Sequence, residues 1–432
     1  MHQIGHRCRK APAQQRRPFL KVTLDQSDQC AWIAAQDSLH QRVEPGGESA
    51  VASYGCAIAI QTDNAEAYSG RGIAFNQMNR VGEAISDYDR AIELKPDFVA
   101  PRCNRAFAAL MRGDFQQGWQ DHEWRWRNWN PGGSTTAGRF RQPPWLGNAS
   151  LSGATILLHA EQGLGDTIQF CRYARLVADL GANVILEVQR PLMRILSGLD
   201  GVAQIVGQGD PIPDFDFHCP LMSLPLAFQT TLSNVPSRVP YLRSDADLRR
   251  FWLGRLGERT KPRIGLVWSG GFRPDQPELR YVNGRRNIPL KKLGPLKNLD
   301  CEFYGLQKGQ PAEAELAALL SDGWDGPPII DVAPHLRDFA ETAALIDHLD
   351  LVISVDTSTA HLAGALGRPV WILNRFDTCW RWLLDVPESP WYPTVRLYRQ
   401  PEPGNWDAVV EAVRVDLARL SATGFASPNR AS

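Results

Sequence analysis

The stretch that decides the fold is LVISVDTSTAHLAGALGRPVWIL, residues 351 to 373. It opens with a short, largely apolar run, which is typical of a strand buried within a parallel sheet. Four polar residues follow, Asp356 to Thr359, and the small and apolar residues after them predict a helix as far as Leu366. Gly367 and Pro369 end that helix. The apolar residues that close the stretch then predict the next strand.

The polar cluster, Asp356, Thr357, Ser358 and Thr359, lies where a strand gives way to the start of a helix. Unpaired backbone N–H groups and the helix dipole favour an anion such as phosphate there. An ordinary helix cap needs only one such residue, and open α/β sheets bind ligands at the carboxyl ends of their strands. The cluster therefore favours a ligand site over a plain cap. His361, in the next turn, either hydrogen-bonds a phosphate or packs.

Composition excludes several classes of protein. The chain has 432 residues, with 43% apolar and 22% charged residues, which is typical of a globular protein of two or three domains. Lys and Arg together number 47, as do Asp and Glu, so no nucleic-acid partner is expected. No run of about 18 apolar residues predicts a membrane helix. The scattered cysteines and the lack of a secretory signal predict a cytoplasmic protein.

A helical repeat precedes the α/β region. The segment AEAYSGRGIAFNQMNRVGEAISDYDRAIELKPDF, residues 65 to 98, follows the 34-residue tetratricopeptide pattern. A preceding unit survives at Ala50, Tyr54 and Ala57, and residues 99 to 126 continue as a degenerate unit. Because so short an array cannot bury its faces alone, we expect it to lean on the next domain. Its helices either only pack or also form a protein-binding groove.

The order of strands and helices after the repeats predicts two Rossmann-like halves. One begins near Ala154, the other at Arg263, and their facing carboxyl edges would form one cleft. We interpret the tryptophans between repeats and sheet as large rings that fix the array to the next domain, although interleaved arginines also suit nucleic acid or sugar. These are Trp119, Trp124, Trp126, Trp129 and Trp145.

The loop after the first strand carries the candidate base. It contains Gln162, Gly163 and Gly165, whose glycines let a ligand approach the backbone, and it ends at Asp166. The third glycine of a dinucleotide fingerprint is replaced by Ile168, which disfavours a nicotinamide-dependent oxidoreductase. Asp166 is either a helix cap or a general base. The helix dipole is expected to lower its pKa and weaken it as a base.

Further candidates follow strands of the second half. Ser269 ends one strand, and Gln307 ends another on the same edge. The basic residues Arg285 and Arg286 are predicted to lie in a loop, where they either bind a diphosphate or remain solvated. A pair of aspartates in the segment PDFDF, at 214 and 216, has the spacing of some metal-binding pairs, but that spacing is common by chance, and no metal site is predicted.

Several quoted motifs together resemble one family. LLHAEQGLGDTIQFCRYARL, PDFDFHCPLMSLP, LQKG and the stretch after Leu351 are similar to bacterial tetratricopeptide-repeat proteins with a glycosyltransferase family 9, heptosyltransferase-like domain. The resemblance implies a GT-B fold and an inverting, metal-independent transfer without a cofactor. It also implies that Asp166 is the base. The donor-binding residues that it implies are Ser269, Arg286, Gln307, Asp356, Thr357, Ser358 and His361. Thr359 is a further candidate, because it belongs to the same helix start.

These observations predict the following organisation, given by residue number. Residues 1–30 are an atypical or disordered start, 31–126 the repeat segment, 127–153 a tryptophan-rich linker, 154–245 the acceptor-side half, 262–422 the nucleotide-sugar half, and 423–432 a disordered tail. The predicted function is transfer of a sugar from a nucleotide-diphosphate donor to a hydroxyl of a protein or glycan, with a protein partner at the repeats. The alternative is a repeat scaffold with a catalytically silent sugar-nucleotide domain.

Overall fold

The computed structural model describes residues 47–128, 139–271 and 279–423. The predictions for residues 1–30, for most of the tail and for Trp129 lie outside the described residues. The helical part before the sheets consists of five helices among these residues. They are α1 (Gly47–Ile60), α2 (Ala65–Gln77), α3 (Val81–Leu94), α4 (Val99–Met111) and α5 (Phe115–His122). A 3-10 turn, Glu123–Asn128, follows α5.

The repeat continues through residues 99 to 126, as its contacts show. Arg71 donates two hydrogen bonds of 2.7 Å to Asp87, and 34 positions later Arg105 makes the same fork to Asp121 at 2.6 and 2.9 Å. Gly118 lies so close to Leu110 that an added Cβ would stand 2.5 Å from its Cγ. The degenerate unit therefore keeps the close helix packing of the repeat.

The first α/β half is a parallel four-stranded sheet in the order β3-β2-β1-β4. Its strands are β1 (Thr155–His159), β2 (Asn183–Val188), β3 (Gln204–Gly207) and β4 (Phe217–Pro220). Its helices are α6 (Leu164–Phe170), α7 (Tyr173–Asp179), α8 (Met193–Leu196) and α9 (Leu224–Ala227). The single amphipathic helix predicted after β1 is in fact two, because the chain turns at Cys171 and Arg172. Arg172 points inward there and donates to the carbonyls of Pro236 and Trp391.

The second half is a parallel six-stranded sheet in the order β10-β9-β8-β5-β6-β7. Its strands are β5 (Arg263–Val267), β6 (Glu302–Gly305), β7 (Ile329–Asp331), β8 (Leu351–Val355), β9 (Val370–Asn374) and β10 (Val395–Arg399). Its helices are α10 (Ala246–Leu256), α11 (Leu279–Arg286), α12 (Ala312–Ser321), α13 (Phe339–Ile346), α14 (Ser358–Ala365) and α15 (Trp406–Thr423). The apolar stripe of α15 is buried against this half.

The predicted fold class is confirmed: a short helical repeat segment precedes two parallel-sheet halves of a GT-B fold. One local prediction is wrong. Arg285 and Arg286 lie at the end of helix α11, not in a loop. No helix within the described ranges is both long and apolar enough to span a bilayer.

The short repeat array packs against both sheet-containing halves through a cluster of aromatic side chains. Trp119 of α5 is fully buried, and its ring meets Phe170 of the first half at 6.2 Å and Trp380 and Trp391 of the second half at 5.3 and 6.3 Å. The interpretation of this tryptophan as one that fixes the array is confirmed. Trp124 differs, because it lies between the guanidinium groups of Arg102 and Arg127.

Candidate active site

Two strand–helix junctions meet directly in the structure. One is the loop from β1 into α6, and the other is the turn from β8 into α14. A Cβ added at Gly165 would stand 2.9 Å from Cδ2 of His361 and 3.5 Å from Cα of Ser358. Gly165 was expected to let a ligand approach the backbone. Its missing side chain instead lets α6 approach α14, so the two junctions face each other at contact distance.

Asp166 is held at this contact by groups from both halves. Its Oδ2 accepts a hydrogen bond of 2.9 Å from the N–H of Gly163, the N-cap residue of α6. Its Oδ1 pairs with Nη2 of Arg381, a residue of the 3-10 turn Trp380–Trp382 in the second half. The side chains of Asp166 and Arg381 are only 16% and 11% exposed. Arg381 also donates to Gln169 Oε1 at 2.8 Å, so its guanidinium is fixed on α6.

Burial sets the acidity of this carboxyl group. It raises the pKa of Asp166 above its ordinary value, and the negative charge of Asp356 raises it further. The Arg381 charge and the Gly163 N–H lower the pKa, but they do not cancel the effect of burial. The expectation of a lowered pKa is therefore wrong, because the low-dielectric contact between the halves outweighs the end of a short helix. Asp166 is a stronger base than a free aspartate.

His361 is packed in the structure, as one of its two sequence-based interpretations expected. It is 4% exposed, its ring stacks on Trp382 at 5.4 Å, and its Nδ1 lies 2.9 Å from the hydroxyl of Tyr392. Burial lowers the pKa of His361 to about 3, so the ring is neutral near pH 7. Its Nε2 is 3.9 Å from Asp356 Oδ1. The ring of His361 therefore packs against Trp382 and Tyr392 beside the junction, and it carries no positive charge for a phosphate.

Thr357 provides the cap of α14. Its Oγ1 accepts a hydrogen bond from the N–H of Ala360 and lies 2.9 Å from the hydroxyl of Ser354. Ser358 and Thr359, the first two residues of the helix, are partly exposed, as is Asp356. One residue of the cluster therefore satisfies the cap, as the capping interpretation required. The other two hydroxyl groups are surplus to it and lie beside the positive end of the helix.

Gln307 fastens the end of β5. Its Oε1 accepts from the N–H groups of Trp268 and Ser269 at 3.2 and 2.9 Å, and its Nε2 donates to the Ser269 carbonyl at 3.0 Å. The hydroxyl of Ser269 donates to the Gly270 carbonyl at 3.1 Å. Gln307 is 5% exposed, so its amide shapes the edge at Ser269 from inside the protein.

Arg286 lies on the same edge. A Cβ at Gly270, just beyond β5, would collide with its guanidinium. Arg286 donates to Asn283 Oδ1 at 2.6 Å, whereas its neighbour Arg285 forms an ion pair with Asp377. Since β5 and β8 are adjacent strands, Arg286 and the start of α14 follow neighbouring carboxyl ends. The structure thus brings an arginine and the hydroxyl-rich junction to one edge.

Two segments of the chain match known families. The tetratricopeptide repeat model matches residues 65–98. The model described as glycosyltransferase family 9 (heptosyltransferase) matches residues 301–373. Residues 65–98 are therefore similar to a tetratricopeptide repeat, and residues 301–373 are similar to glycosyltransferase family 9. The resemblance predicted from the sequence is confirmed, and the family 9 match contains both Gln307 and the whole junction of β8 with α14.

The chain is also similar to proteins of several bacteria. Protein FlbA of Caulobacter vibrioides is 26% identical to this chain over 396 residues. The match covers 85% of this chain and 63% of FlbA, so the chain spans less than two thirds of that relative. A glycosyltransferase family 9 structure from Veillonella parvula is 11% identical, with a TM-score of 0.45, covering 64% of this chain and all of that one. ADP-heptose heptosyltransferase II of E. coli is 13% identical, with a TM-score of 0.44, covering 62% and 100%.

The aspartate pair at 214 and 216 lies far from the junctions in the sheet. The carboxylate of Asp216 accepts a hydrogen bond of 2.8 Å from the N–H of Thr155, the first residue of β1. It therefore lies at the amino ends of the strands, opposite the edge that carries Asp166. Among the residues that the structure describes, no group of three or more His, Cys, Asp or Glu side chains is arranged to hold a metal ion.

Sequence reasoning missed the residues that other elements bring to Asp166. Arg381 lies 215 positions away in the chain, and the local pattern CWRWL gives no signal for its role. Gln162, named as part of the acceptor-side loop, contributes its carbonyl, which accepts from Gln189 Nε2 at 2.7 Å. Such contacts follow from the packing of distant elements, and only an aromatic-rich stretch such as WRWLLDVPESPWY marks a region that packs heavily.

Proposed function

We propose that this protein transfers a sugar from a nucleotide-diphosphate donor to a hydroxyl group of an acceptor. The observation that carries the proposal is the contact of the two junctions, which places the basic carboxylate on α6 against the start of α14. Transfer from a diphosphate leaving group needs a proton acceptor and an electropositive site for the departing charge. The family 9 match over α14 supports the same conclusion.

In the proposed reaction, the acceptor oxygen attacks the anomeric carbon while the bond from that carbon to the diphosphate oxygen breaks. Asp166 takes the proton of the attacking hydroxyl. The nucleoside diphosphate leaves with the electron pair of the broken bond, and its charge is met by the backbone N–H groups of Ser358 and Thr359 and by Arg286. A single displacement of this kind inverts the configuration at the anomeric carbon.

The proposal assigns charge compensation to protein groups. Arg286 and the N-terminus of α14 are both electropositive and follow adjacent strands, β5 and β8. Asp216, by contrast, is held at the amino end of β1. We therefore propose a metal-independent transfer with no cofactor.

The acceptor that we propose is a hydroxyl of a protein or of a glycan. A protein partner would bind at the tetratricopeptide segment, and the cytoplasm is the proposed location. The alternative is a scaffold whose sugar-nucleotide domain is catalytically silent. This alternative predicts that residues 50 to 126 capture a protein while no donor is turned over.

A thermal-shift titration of the full chain tests the proposal. Nucleoside diphosphates and their sugars are added one by one. Each nucleotide sugar that binds is then tested, together with protein and glycan acceptors, for release of nucleoside diphosphate. A ligand at 100 times its Kd stabilises the folded state by about 2.7 kcal/mol, which is readily measured. Binding with turnover supports the transferase. Binding of none of them would contradict the proposal, and binding without release would favour the scaffold.

A further inference from the structure

A buried arginine joins the repeat segment to the loop that carries Asp166. Arg125 lies in the 3-10 turn that follows α5 and is 3% exposed. Its Nε and Nη2 donate to the two oxygens of Glu161 at 3.0 and 2.9 Å. Glu161, whose side chain is 2% exposed, lies in the loop from β1 to α6. The repeat segment thus binds this loop through a bidentate ion pair, which we call the fork.

The remaining donors of the guanidinium are also engaged. Nη1 donates to Glu123 Oε1 at 2.6 Å and to the carbonyl and Nδ1 of His122 at 3.0 and 3.1 Å. Burial lowers the pKa of His122 well below its ordinary value, so its ring is neutral and can accept. Nη2 also donates to the hydroxyl of Ser223, which follows β4. The arginine therefore links the repeat segment to the carboxyl ends of both β1 and β4.

Further hydrogen bonds fix the loop between Glu161 and the proposed base, Asp166. The carbonyl of Gln162 is held by Gln189, and the N–H of Gly163 is held by the Asp166 carboxylate itself. Each link from Glu161 to Asp166 is therefore a fixed contact. Breaking a buried ion pair leaves an uncompensated charge, whereas the intact pair adds little stability beyond an apolar substitute. The main physical effect of the fork is to fix geometry.

We infer that Arg125 is a positioning residue, through which the tetratricopeptide segment sets the place of Asp166 against α14. The inference rests on the proposed role of Asp166 as the base. The repeat segment then completes the active site, in addition to any partner that it binds. An arginine fork is required because a lysine offers a point charge and would hold Glu161 at one point only.

Kinetics of full-chain variants test this role. Arg125→Met should lower kcat about a hundredfold, the effect of misplacing a reacting group by about 1 Å, while the donor KM changes little because α14 is untouched. Arg125→Met leaves two carboxylates, Glu161 and Glu123, without their partner. The double variant Arg125→Met with Glu161→Gln removes the charge of Glu161, the more deeply buried of the two, so its melting temperature should recover part of the way toward that of the unaltered protein while kcat stays low. Recovery of kcat together with the melting temperature would overturn the inference, since the network would then be structural only.

Arg105→Met is the matched control. It breaks a similar fork, Arg105 to Asp121, that lies wholly inside the repeat segment. It should lower the melting temperature and leave kcat unchanged. An equal loss of kcat in both variants would overturn the inference, because any weakening of the repeats would then suffice.

Two further measurements separate the inference from the proposed function. Backbone hydrogen exchange at residues 163 to 167 should be faster in Arg125→Met than in Arg105→Met, a difference that needs no turnover to be seen. Equal exchange would count against the positioning role. Asp166→Asn is assayed alongside: if it retains full activity, the base assignment fails. If it is inactive while Arg125→Met keeps its kcat, only the inference fails.

Discussion

The junction of β1 with α6 and the junction of β8 with α14 have the same backbone plan but opposite chemistry. In the first, two carboxylates, Glu161 and Asp166, are held out of water, and each is matched by an arginine from another part of the chain. In the second, hydroxyl groups surround the helix start, and Thr357 caps it from within the same turn. The comparison shows that the strand–helix motif fixes where the side chains lie. The elements packed against the motif then determine the charge and the hydrogen bonding of those side chains.

The two junctions also differ in how far their contacts reach. The partners of the first come from the repeat segment and from the turn after β9. The partners of Thr357, which caps the second junction, are Ser354 and Ala360, and they lie within three residues of it. The first junction should therefore respond to changes in distant elements, and the cap of the second to local ones. The following experiments test this contrast, from the largest expected effect to the smallest.

Removal of the charge at the first junction should have the largest effect. Asp166→Asn keeps the size of the side chain but removes the proposed base, and the transfer rate should fall about 10²–10⁴-fold. Nucleotide affinity, measured by thermal shift, should remain, because the proposed donor site lies on the other junction. Arg286→Gln removes a positive charge from the proposed donor side and should weaken nucleotide binding instead. Full transfer activity of Asp166→Asn would remove this residue as the base.

Arg381→Met should change the pH dependence of the reaction. Because Arg381 lowers the pKa of Asp166, its loss raises that pKa further. A base must be deprotonated to act, so the acid limb of the kcat/KM profile should move to higher pH. Chemical denaturation should show a loss of about 2–3 kcal/mol, somewhat below that for breaking a fully buried pair.

The control for Arg381 is the exposed pair of Arg414 and Glu411 on α15. Arg414→Met should leave the pH profile unchanged and cost at most about 1 kcal/mol, as is usual for surface ion pairs. An acid limb that stays in place in Arg381→Met, or moves to lower pH, would show that the arginine does not act on the base.

Gly165→Ala should increase the distance between the two junctions. The new methyl group would stand 2.9 Å from the ring of His361, so α6 and α14 must move apart. Overpacking of this kind costs about 1–3 kcal/mol, measured by chemical denaturation. Gly254→Ala is the control: it lies in helix α10 with open space around its Cβ, and it should gain about 0.5–1 kcal/mol. A Gly165→Ala protein of unchanged stability would contradict the tight contact.

Thr357→Ala should have the smallest effect, confined to the second junction. Loss of the cap costs about 1 kcal/mol of unfolding free energy. Thr357→Ser keeps the hydroxyl and should restore most of it. The pH profile of transfer should not move in either variant, because the base belongs to the other junction. A shift of that profile in Thr357→Ala would show that the two junctions are coupled more closely than their contacts indicate.

The sequence predicted the plan of the fold well, for a local reason. A run such as LVISV before a polar cluster, or the spacing of Gly72, Ala84 and Tyr88, reports the burial of neighbouring residues in one element. The period of the apolar residues therefore identified the repeat and the two parallel sheets. Where local signals were weak the prediction failed, as for the arginines at the end of α11.

The candidate site was predicted in part. The position of Asp166 and of the cluster at Thr357 followed from the rule that carboxyl ends of parallel strands bind ligands. The pKa and the contacts of each side chain could not be predicted from that rule. Burial between the halves raised the pKa of Asp166 against the effect of the helix dipole, and contact with Trp382 and Tyr392 fixed His361 as a packed, neutral ring.

By itself, the sequence determined which residues stand at the ends of strands and the starts of helices, because hydrogen-bonded elements repeat at fixed intervals along the chain. Only the tertiary structure decided that Arg381 would meet Asp166, that Arg125 would meet Glu161, and that Gly165 would serve a contact between helices. Those outcomes depend on the path of the chain through space and on the exclusion of water from the contact between the two halves. No periodic pattern records either one.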